Sequence, residues 1–301
     1  MRALVAQARR FAPSDANVLI TGETGAGKDA VARALHALGG RGAEPFVTVD
    51  CPGLPASLLE AELFGYERGA FTDASVTRPG RFELASRGTI YLDRVHELPP
   101  ELQAKLLRLV EHKQVERLGS AAAIPVHARI LASADSRIEL EVESGSFRSD
   151  LYHRLSVLPL RVPPLRERRA DLPWLIRRFL RDAARQAGRS VPRLTAAAQA
   201  RLASHSWPGN VRELQHALHR AVLGAAGPAI DVDDLPLEPQ PIETLFAGRD
   251  GDERRPTLDA LERRYVELVL REARGSQTRA ARILGISRKA LWEKRRRFGM
   301  D

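Results

Sequence analysis

The segment Val18-Leu-Ile-Thr21 followed by Gly22-Glu-Thr-Gly-Ala-Gly-Lys28 constrains this chain more than any other. A short apolar run closes on a glycine-rich turn that reads G-x-x-x-x-G-K. Val31, Ala34, Leu35 and Leu38 then recur at helical spacing. In such a strand–loop–helix unit, Gly22, Glu23, Thr24, Gly25, Ala26 and Gly27 turn their backbone N–H groups toward phosphate oxygens. The helix N-terminus adds the positive end of its dipole. Lys28 reaches the β- and γ-phosphates of a nucleotide. Asp29 stands where the general pattern has Ser or Thr.

Four further short apolar runs read as strands: 46–49, 89–92, 130–133 and 157–160. Between them, Leu102, Leu106, Leu109 and Val110 make the stripe of a helix that Pro99 and Pro100 open. Alternating strands and helices predict a parallel sheet covered on both faces. After Pro163-Pro164 the character turns helical. Asp171 is the expected N-cap of a helix with Trp174, Leu175, Phe179 and Leu180 on its apolar face. Thr195 caps a second helix, and a third follows Pro208-Gly209. Residues 236–256, rich in proline and acids, read as a linker. The predicted organisation is α/β at 1–165, a helical lid at 166–235, the linker, and an all-α domain at 257–301. Within the strand series, Asp93 ends an apolar strand, where a P-loop protein places the carboxylate that holds Mg²⁺.

These motifs run in an order that resembles the bacterial enhancer-binding proteins, the AAA+ activators of sigma-54 RNA polymerase. They are Gly22 to Lys28, Glu62-Leu-Phe-Gly65, Gly69-Ala-Phe-Thr-Asp-Ala74, Gly88 to Asp93, Phe147 to Leu155, Pro164 to Arg168 and Trp207 to Leu214. The resemblance covers nearly the whole chain. It implies an AAA+ P-loop core and lid that take ATP and Mg²⁺, with Asp93 on the metal. It also implies a homo-oligomer, from a dimer to a hexameric ring. Arg148 and Arg154 match the arginines that reach a neighbouring subunit's ATP. Arg212 matches the lid arginine that senses the γ-phosphate, and Phe71 and Thr72 match the sigma-54 contacts. An acid after the P-loop lysine is usual in that family, so Asp29 fits it. Relatives also carry a segment ahead of the first helix that helps hold adenine, and an N-terminal sensor domain; this sequence starts at Met1.

Four positions depart from the family. The metal strand ends Asp-Glu in relatives and Asp93-Arg94 here. The family's Asn is Asp50. The sensor pair after the fourth strand, normally Thr-Asn, is Ala134-Asp135, and the surface loop has Asp73 in place of Gly. A guanidinium cannot act as the base for an attacking water, because its pKa exceeds about 12. In relatives the Glu and Asn touch, so Arg94 and Asp50 would form an ion pair. Three readings stand: drift in a protein that no longer hydrolyses ATP fast, a nucleotide-gated switch, and Asp50 taking over the orientation of water.

The net charge of +9 is concentrated at one end. From Arg274 onward there are nine Lys or Arg and two acids, a net +7, which suggests a polyanion partner. Leu258, Leu261, Tyr265, Leu268 and Val269 make the stripe of one helix. Residues 278–284 form a second, Gly285 ends it, and Ser287 caps a third that runs to Arg297. Two helices joined by a short turn, the second strongly basic, make a helix-turn-helix. It resembles the Fis-type domain, which dimerises on duplex DNA with paired half-sites. Ala280, Ala281, Leu284, Ile286 and Leu291 would be its core. Ser287, Arg288, Lys289 and Lys294 would face the major groove or phosphates, and Arg295, Arg296 and Arg297 the phosphates. No membrane segment is predicted, because no run approaches 18 uncharged apolar residues. The lone Cys51 excludes an intrachain disulfide and fits a cytoplasmic setting. The expectation is an ATP-binding, sigma-54-interacting transcription regulator. The alternatives are a hydrolysis-impaired DNA-binding regulator, with ATP as an assembly ligand or without sigma-54, and a P-loop remodelling enzyme of another kind.

Overall fold

The computed structural model describes residues 1–300 except 73, 226, 238–256 and 274–275. Most of the expected linker, and Asp73, therefore lie outside the described residues. The chain separates into two compact units, Met1–Pro236 and Leu237–Asp301.

The first unit is built on five parallel strands: β1 (Val18–Thr21), β2 (Phe46–Asp50), β3 (Thr89–Asp93), β4 (Arg129–Ala134) and β5 (Leu158–Arg161). Their order across the sheet is β2-β3-β4-β1-β5. The central strands β1, β3 and β4 read as apolar runs because both of their faces are covered, while the edge strands β2 and β5 are partly exposed. Leu19, Ile90, Leu92, Ile130 and Ala132 point into one core, with Leu102, Leu106 and Leu109 of the Pro100–His112 helix. Val18, Ile20, Tyr91, Leu131 and Leu160 point into the other, with Val31 and Leu35 of the Lys28–Leu38 helix and Leu4 and Ala8 of the Arg2–Phe11 helix. This alternation is the two-residue period of a strand. The buried Arg129 fastens the first helix by donating to the carbonyls of Phe11 and Ala12, each at 2.8 Å.

Sheet register sets up the chemistry. Asp50 pairs across from Asp93, and Thr21 from Ala134, so the carboxyl ends of β1 to β4 share one edge. Ligands of open parallel sheets bind at that edge.

The lid is three helices, Leu172–Gln186, Ala196–Ser204 and Asn210–Gly224. The Thr195 cap forms, with Oγ1 accepting the Ala198 N–H at 3.1 Å. Two expectations need correction. Asp171 precedes its helix but makes no side-chain cap, because its own backbone is already helical (φ −81°, ψ −20°). Trp174 lies outside, 54% exposed, with the Arg178 guanidinium over its ring at 5.4 Å. The buried stripe is Leu172, Leu175, Leu180, Ala183 and Ala184. Trp174 lies about 180° around the helix from Ala183, on the face opposite that stripe.

The second unit holds helices Leu258–Glu272, Gln277–Leu284 and Arg288–Phe298. Gly285 takes the left-handed conformation (φ 66°) that ends the second helix. Ser287 Oγ accepts the Ala290 N–H at 3.1 Å and starts the third. The core contains Ala280, Ala281 and Leu291 as expected, with Leu284 and Ile286 packed against it. On the first helix Val269 is buried as expected, joined by Val266 and by Ala273 just past the helix end. Leu258, expected on the core face, is 86% exposed, and Tyr265 is exposed beside it. The expected stripe thus joined Val269 of the buried face to Leu258 and Tyr265 of an exposed one. No helix of the described residues is long and apolar enough to cross a membrane.

Candidate functional site

The turn after β1 is shaped by glycine at two places in particular. Gly25 has φ 75°, and a Cβ there would lie 2.4 Å from the Gly209 carbonyl oxygen of the lid. Gly27 has φ 101° and starts the Lys28–Leu38 helix. Only glycine lets this loop lie against the lid and still present its amides. Lys28 is buried, and its Nζ donates to Gly22 O at 2.6 Å and Glu23 O at 3.3 Å. Burial lowers its pKa, with Arg212 and Arg94 adding repulsion, while Asp93 and Asp135 pull the other way.

Contacts distant in sequence stitch the lid to this loop. Asn210, fully buried and at φ 55°, accepts the Leu165 N–H at 2.7 Å. It donates to Glu23 Oε2 at 3.0 Å and Thr24 O at 3.1 Å. Val211 N–H donates to Gly25 O at 3.0 Å. The Arg166 guanidinium grips both Glu23 oxygens, at 2.8 and 2.5 Å, and holds that carboxyl below its ordinary pKa. Arg168 donates to Ala26 O at 2.5 Å. None of these partners was legible from spacing, although Asn210, Arg166 and Arg168 all sit inside the quoted motifs.

A cavity of about 450 Å³ opens between loop and lid. It is lined by Thr24, Gly25, Gly27, Lys28, Asp29, Ala30, Asp50, Asp93, Arg94, Val211, Arg212 and Gln215. Sequence reasoning missed Gln215 and Val211, which reach it from one turn of the lid helix. Asp93 Oδ1 accepts from Ser133 Oγ at 2.5 Å and from Tyr91 OH at 3.0 Å. Burial pushes the Tyr91 phenol up, so it remains a donor. One carboxylate held at the strand end, facing a phosphate loop, suits Mg²⁺, which takes one or two carboxylates and completes its shell with phosphates and water. Cys51, beside Asp50, is buried, and burial pushes its thiol pKa up; it packs as a small apolar residue.

The ion pair expected between Arg94 and Asp50 is present, with Nη2 to Oδ1 at 2.7 Å. Arg94 also places Nη1 3.4 Å from Glu97 Oε1. Its backbone is left-handed (φ 57°, ψ 49°), which costs a non-glycine residue roughly 1–2 kcal/mol, and its N–H is held by Ser133 Oγ at 3.0 Å. Both partners of the pair are partly exposed (38% and 53%), so the bridge contributes only about 0.2–1 kcal/mol. Asp135 is engaged by its own turn, accepting from the Arg137 N–H at 3.1 Å and Nε at 3.3 Å.

Arg148 and Arg154 do not line this cavity. Each is exposed on or beside the Ser149–Leu155 helix, Arg148 paired with Asp150 at 2.8 Å and Arg154 with Glu111 at 3.0 Å.

The Gly69–Ala74 loop stands on a braced stem. Gly65–Tyr66 pairs with Arg78–Pro79, and Leu118 bonds by backbone to Gly65 and Glu67. Arg117 bridges Glu67 at 2.8 Å and Glu83 at 2.6 Å. At the tip Gly69 N–H donates to Ala74 O at 2.8 Å. Phe71 is exposed, its ring edge-on to Tyr66 at 5.0 Å, and Thr72 follows it in the turn.

In the second unit the expected DNA-facing cations differ in what already holds them. Lys294 is paired with Glu262 and Arg297 with Asp259, while Arg295 donates to Met300 O at 2.8 Å. Arg296 lies over the exposed Trp292 ring at 5.6 Å. Among the described residues, no ion pair holds Arg288 or Lys289, both exposed at the start of the third helix.

Comparison with known proteins gives three family models in register with this architecture. They are the Sigma-54 interaction domain over residues 1–161, the AAA+ ATPase lid domain over 166–244, and the bacterial regulatory protein, Fis family, over 257–298. The regulatory protein AtoC of Escherichia coli is 42% identical over 97% of this chain and 64% of its own length. The transcriptional regulatory protein ZraR of Salmonella typhimurium is 43% identical over 98% of this chain and 66% of its own. The chain thus spans just under two thirds of these relatives. The crystal structure of NtrX from Brucella abortus in complex with ATP superposes with a TM-score of 0.72 at 35% identity, covering 99% of this chain and 67% of that one.

Proposed function

The chain belongs to the sigma-54 interaction domain family, and from that premise we propose that it is an ATP-binding transcription regulator that engages sigma-54 polymerase and duplex DNA. The observation that carries this reading is the convergence of Lys28, Asp93 and Arg212 on one cavity between the phosphate loop and the lid. Gly25, Gly27 and Lys28 hold the phosphates, and Arg212 reports the γ-phosphate to the lid. Mg²⁺ held by Asp93 would neutralise charge on the phosphates. Arg148 and Arg154 would serve a neighbour's ATP in a ring, a role supported by their exposure outside this chain's own cavity.

The path to sigma-54 runs along the chain. Asp50 ends β2, the turn Cys51–Gly53 follows, and the Ala56–Phe64 helix leads directly into the stem of the Gly69–Ala74 loop. Phe71 and Thr72 at its tip make the contact. In a binding assay with purified sigma-54 and a non-hydrolysable ATP analogue, Phe71→Ala should lose sigma-54 while keeping the analogue. Unchanged sigma-54 binding would remove the loop from the interface.

A second reading is favoured by Arg94 itself. The position that holds a carboxylate base in the family holds a permanent cation, tied to Asp50. The chain then binds ATP mainly as an assembly ligand and turns it over slowly.

The second unit binds duplex DNA as a dimer through its basic third helix. The outer stripe of Leu258, Leu261, Tyr265 and Leu268, set apart from the Val266–Val269 core, supports a second copy as the dimer partner. Each phosphate contact adds about 0.9 to the slope of log K against log salt. Neutralising Arg295, Arg296 and Arg297 together should lower that slope by up to about 3 and weaken binding to all sequences alike. A salt slope equal to the parent's would remove these residues from the phosphate contacts.

A further inference from the structure

We propose that Arg94 is a nucleotide-binding residue in its own right: a cation supplied from within the chain to the terminal phosphate of a bound nucleoside triphosphate, exchanging Asp50 for that phosphate when the triphosphate enters. The proposal rests on the reading of the cavity as the nucleotide site and adds a residue that discriminates triphosphate from diphosphate.

Three observations on different levels carry it. The first is placement. Arg94 follows Asp93 directly at the carboxyl edge of β3, and its side chain lines the same cavity as Gly25, Gly27, Lys28 and Arg212. Its backbone is fixed there by the Ser133 hydroxyl in a left-handed conformation that few arginines adopt. The side chain is therefore anchored at one end and free to re-aim at the other. The second observation is how the guanidinium is used. Its two amino groups are divided between two carboxylates, Asp50 at 2.7 Å and Glu97 at 3.4 Å, so neither pair is bidentate. Both carboxylates are substantially exposed, and such pairs are easily exchanged. A phosphate offers the guanidinium fork two oxygens at its own spacing and a larger charge, within a concave site. The third is charge. Asp29, Asp50 and Asp93 balance Lys28, Arg94 and Arg212 among the lining residues, so the cavity is formally neutral before a highly charged anion enters. Removing Arg94 from that set would leave three acids facing two cations.

Asp50 itself lies against Gly53, where a Cβ would sit 3.0 Å from its Oδ2.

The test is equilibrium binding of two probes to the full chain, ADP and an ATP analogue with a non-hydrolysable β–γ bridge, both with Mg²⁺. Arg94→Gln should weaken the analogue about 10- to 100-fold, the range of one charge-assisted contact, and change ADP by less than about threefold. Asp50→Asn, which releases Arg94 from its present partner, should tighten the analogue and leave ADP alone. ADP binding by Arg94→Gln also reports that the variant is folded. An analogue-to-ADP ratio equal to the parent's in Arg94→Gln overturns the proposal, and so does equal loss of both probes. Lys28→Ala separates this failure from a wrong site, since it should weaken both probes together; retained binding there would displace the cavity reading itself.

Discussion

The double variant Arg94→Glu with Asp50→Asn should turn over ATP about 10²–10⁴ times faster than the parent at saturating nucleotide, the range that a positioned general base contributes. Asp50 lies across from Asp93 in the sheet, and Arg94, the next residue, closes on Asp50 at 2.7 Å. A carboxylate at position 94 would stand beside Asp93 at the mouth of the phosphate loop, where it could accept a proton from water. Arg94→Glu alone places that carboxylate against Asp50, and two acids at such a distance repel or share a proton. Its gain should therefore be smaller. Asp50→Asn removes the repulsion and offers an amide donor in its place. Saturating ATP keeps the comparison independent of any loss of affinity on removing Arg94, and high protein concentration lets subunits contribute to one another's sites. A double variant no faster than the parent would mean that Arg94 does not limit hydrolysis. Asp135, held in its own turn by Arg137, would then be the next position to restore.

The parallel sheet was legible because its central strands β1, β3 and β4 are buried on both faces and so appear as apolar runs, which the half-exposed edge strands β2 and β5 flank. The glycine turn was legible because its backbone demands, as at Gly25 and Gly27, exclude other residues. The Arg94–Asp50 pair could be anticipated because two departures fell on positions that the family resemblance implied to be in contact. Other features depend on contacts that spacing does not encode. Asn210 reaches Glu23 and Thr24 across more than 180 residues, and Arg166 reaches Glu23 across 143. No local pattern announces either partnership. Trp174 and Leu258 show a different limit. Periodicity detects an apolar face but not what covers it, and both side chains lie on faces that the described residues leave exposed. Asp171 has the right chemistry for a cap, but a helical backbone at its own position prevents the capping bond.

Lys28→Ala should reduce ATP affinity by at least about 100-fold, more than any other single change to the lining residues, because it removes a cation that bears on two phosphates together. The geometry makes the residue hard to replace. Lys28 is buried at the start of its helix, its Nζ lies within hydrogen-bond distance of the loop carbonyls of Gly22 and Glu23, and Asp93 and Asp135 support its charge against burial. The ammonium that donates to these loop carbonyls is the one that would meet the β- and γ-phosphates. The alanine variant keeps the glycines, the Asn210 stitches and the Arg166–Glu23 clamp, so the loop and lid should stay in place. Calorimetric titration of ATP and Mg²⁺ into the full chain and into Lys28→Ala, with melting temperatures compared to confirm folding, tests the assignment of the cavity most directly. The parent should bind saturably, and a folded Lys28→Ala should give no measurable heat of binding. Equal ATP affinity in the two proteins would contradict that assignment.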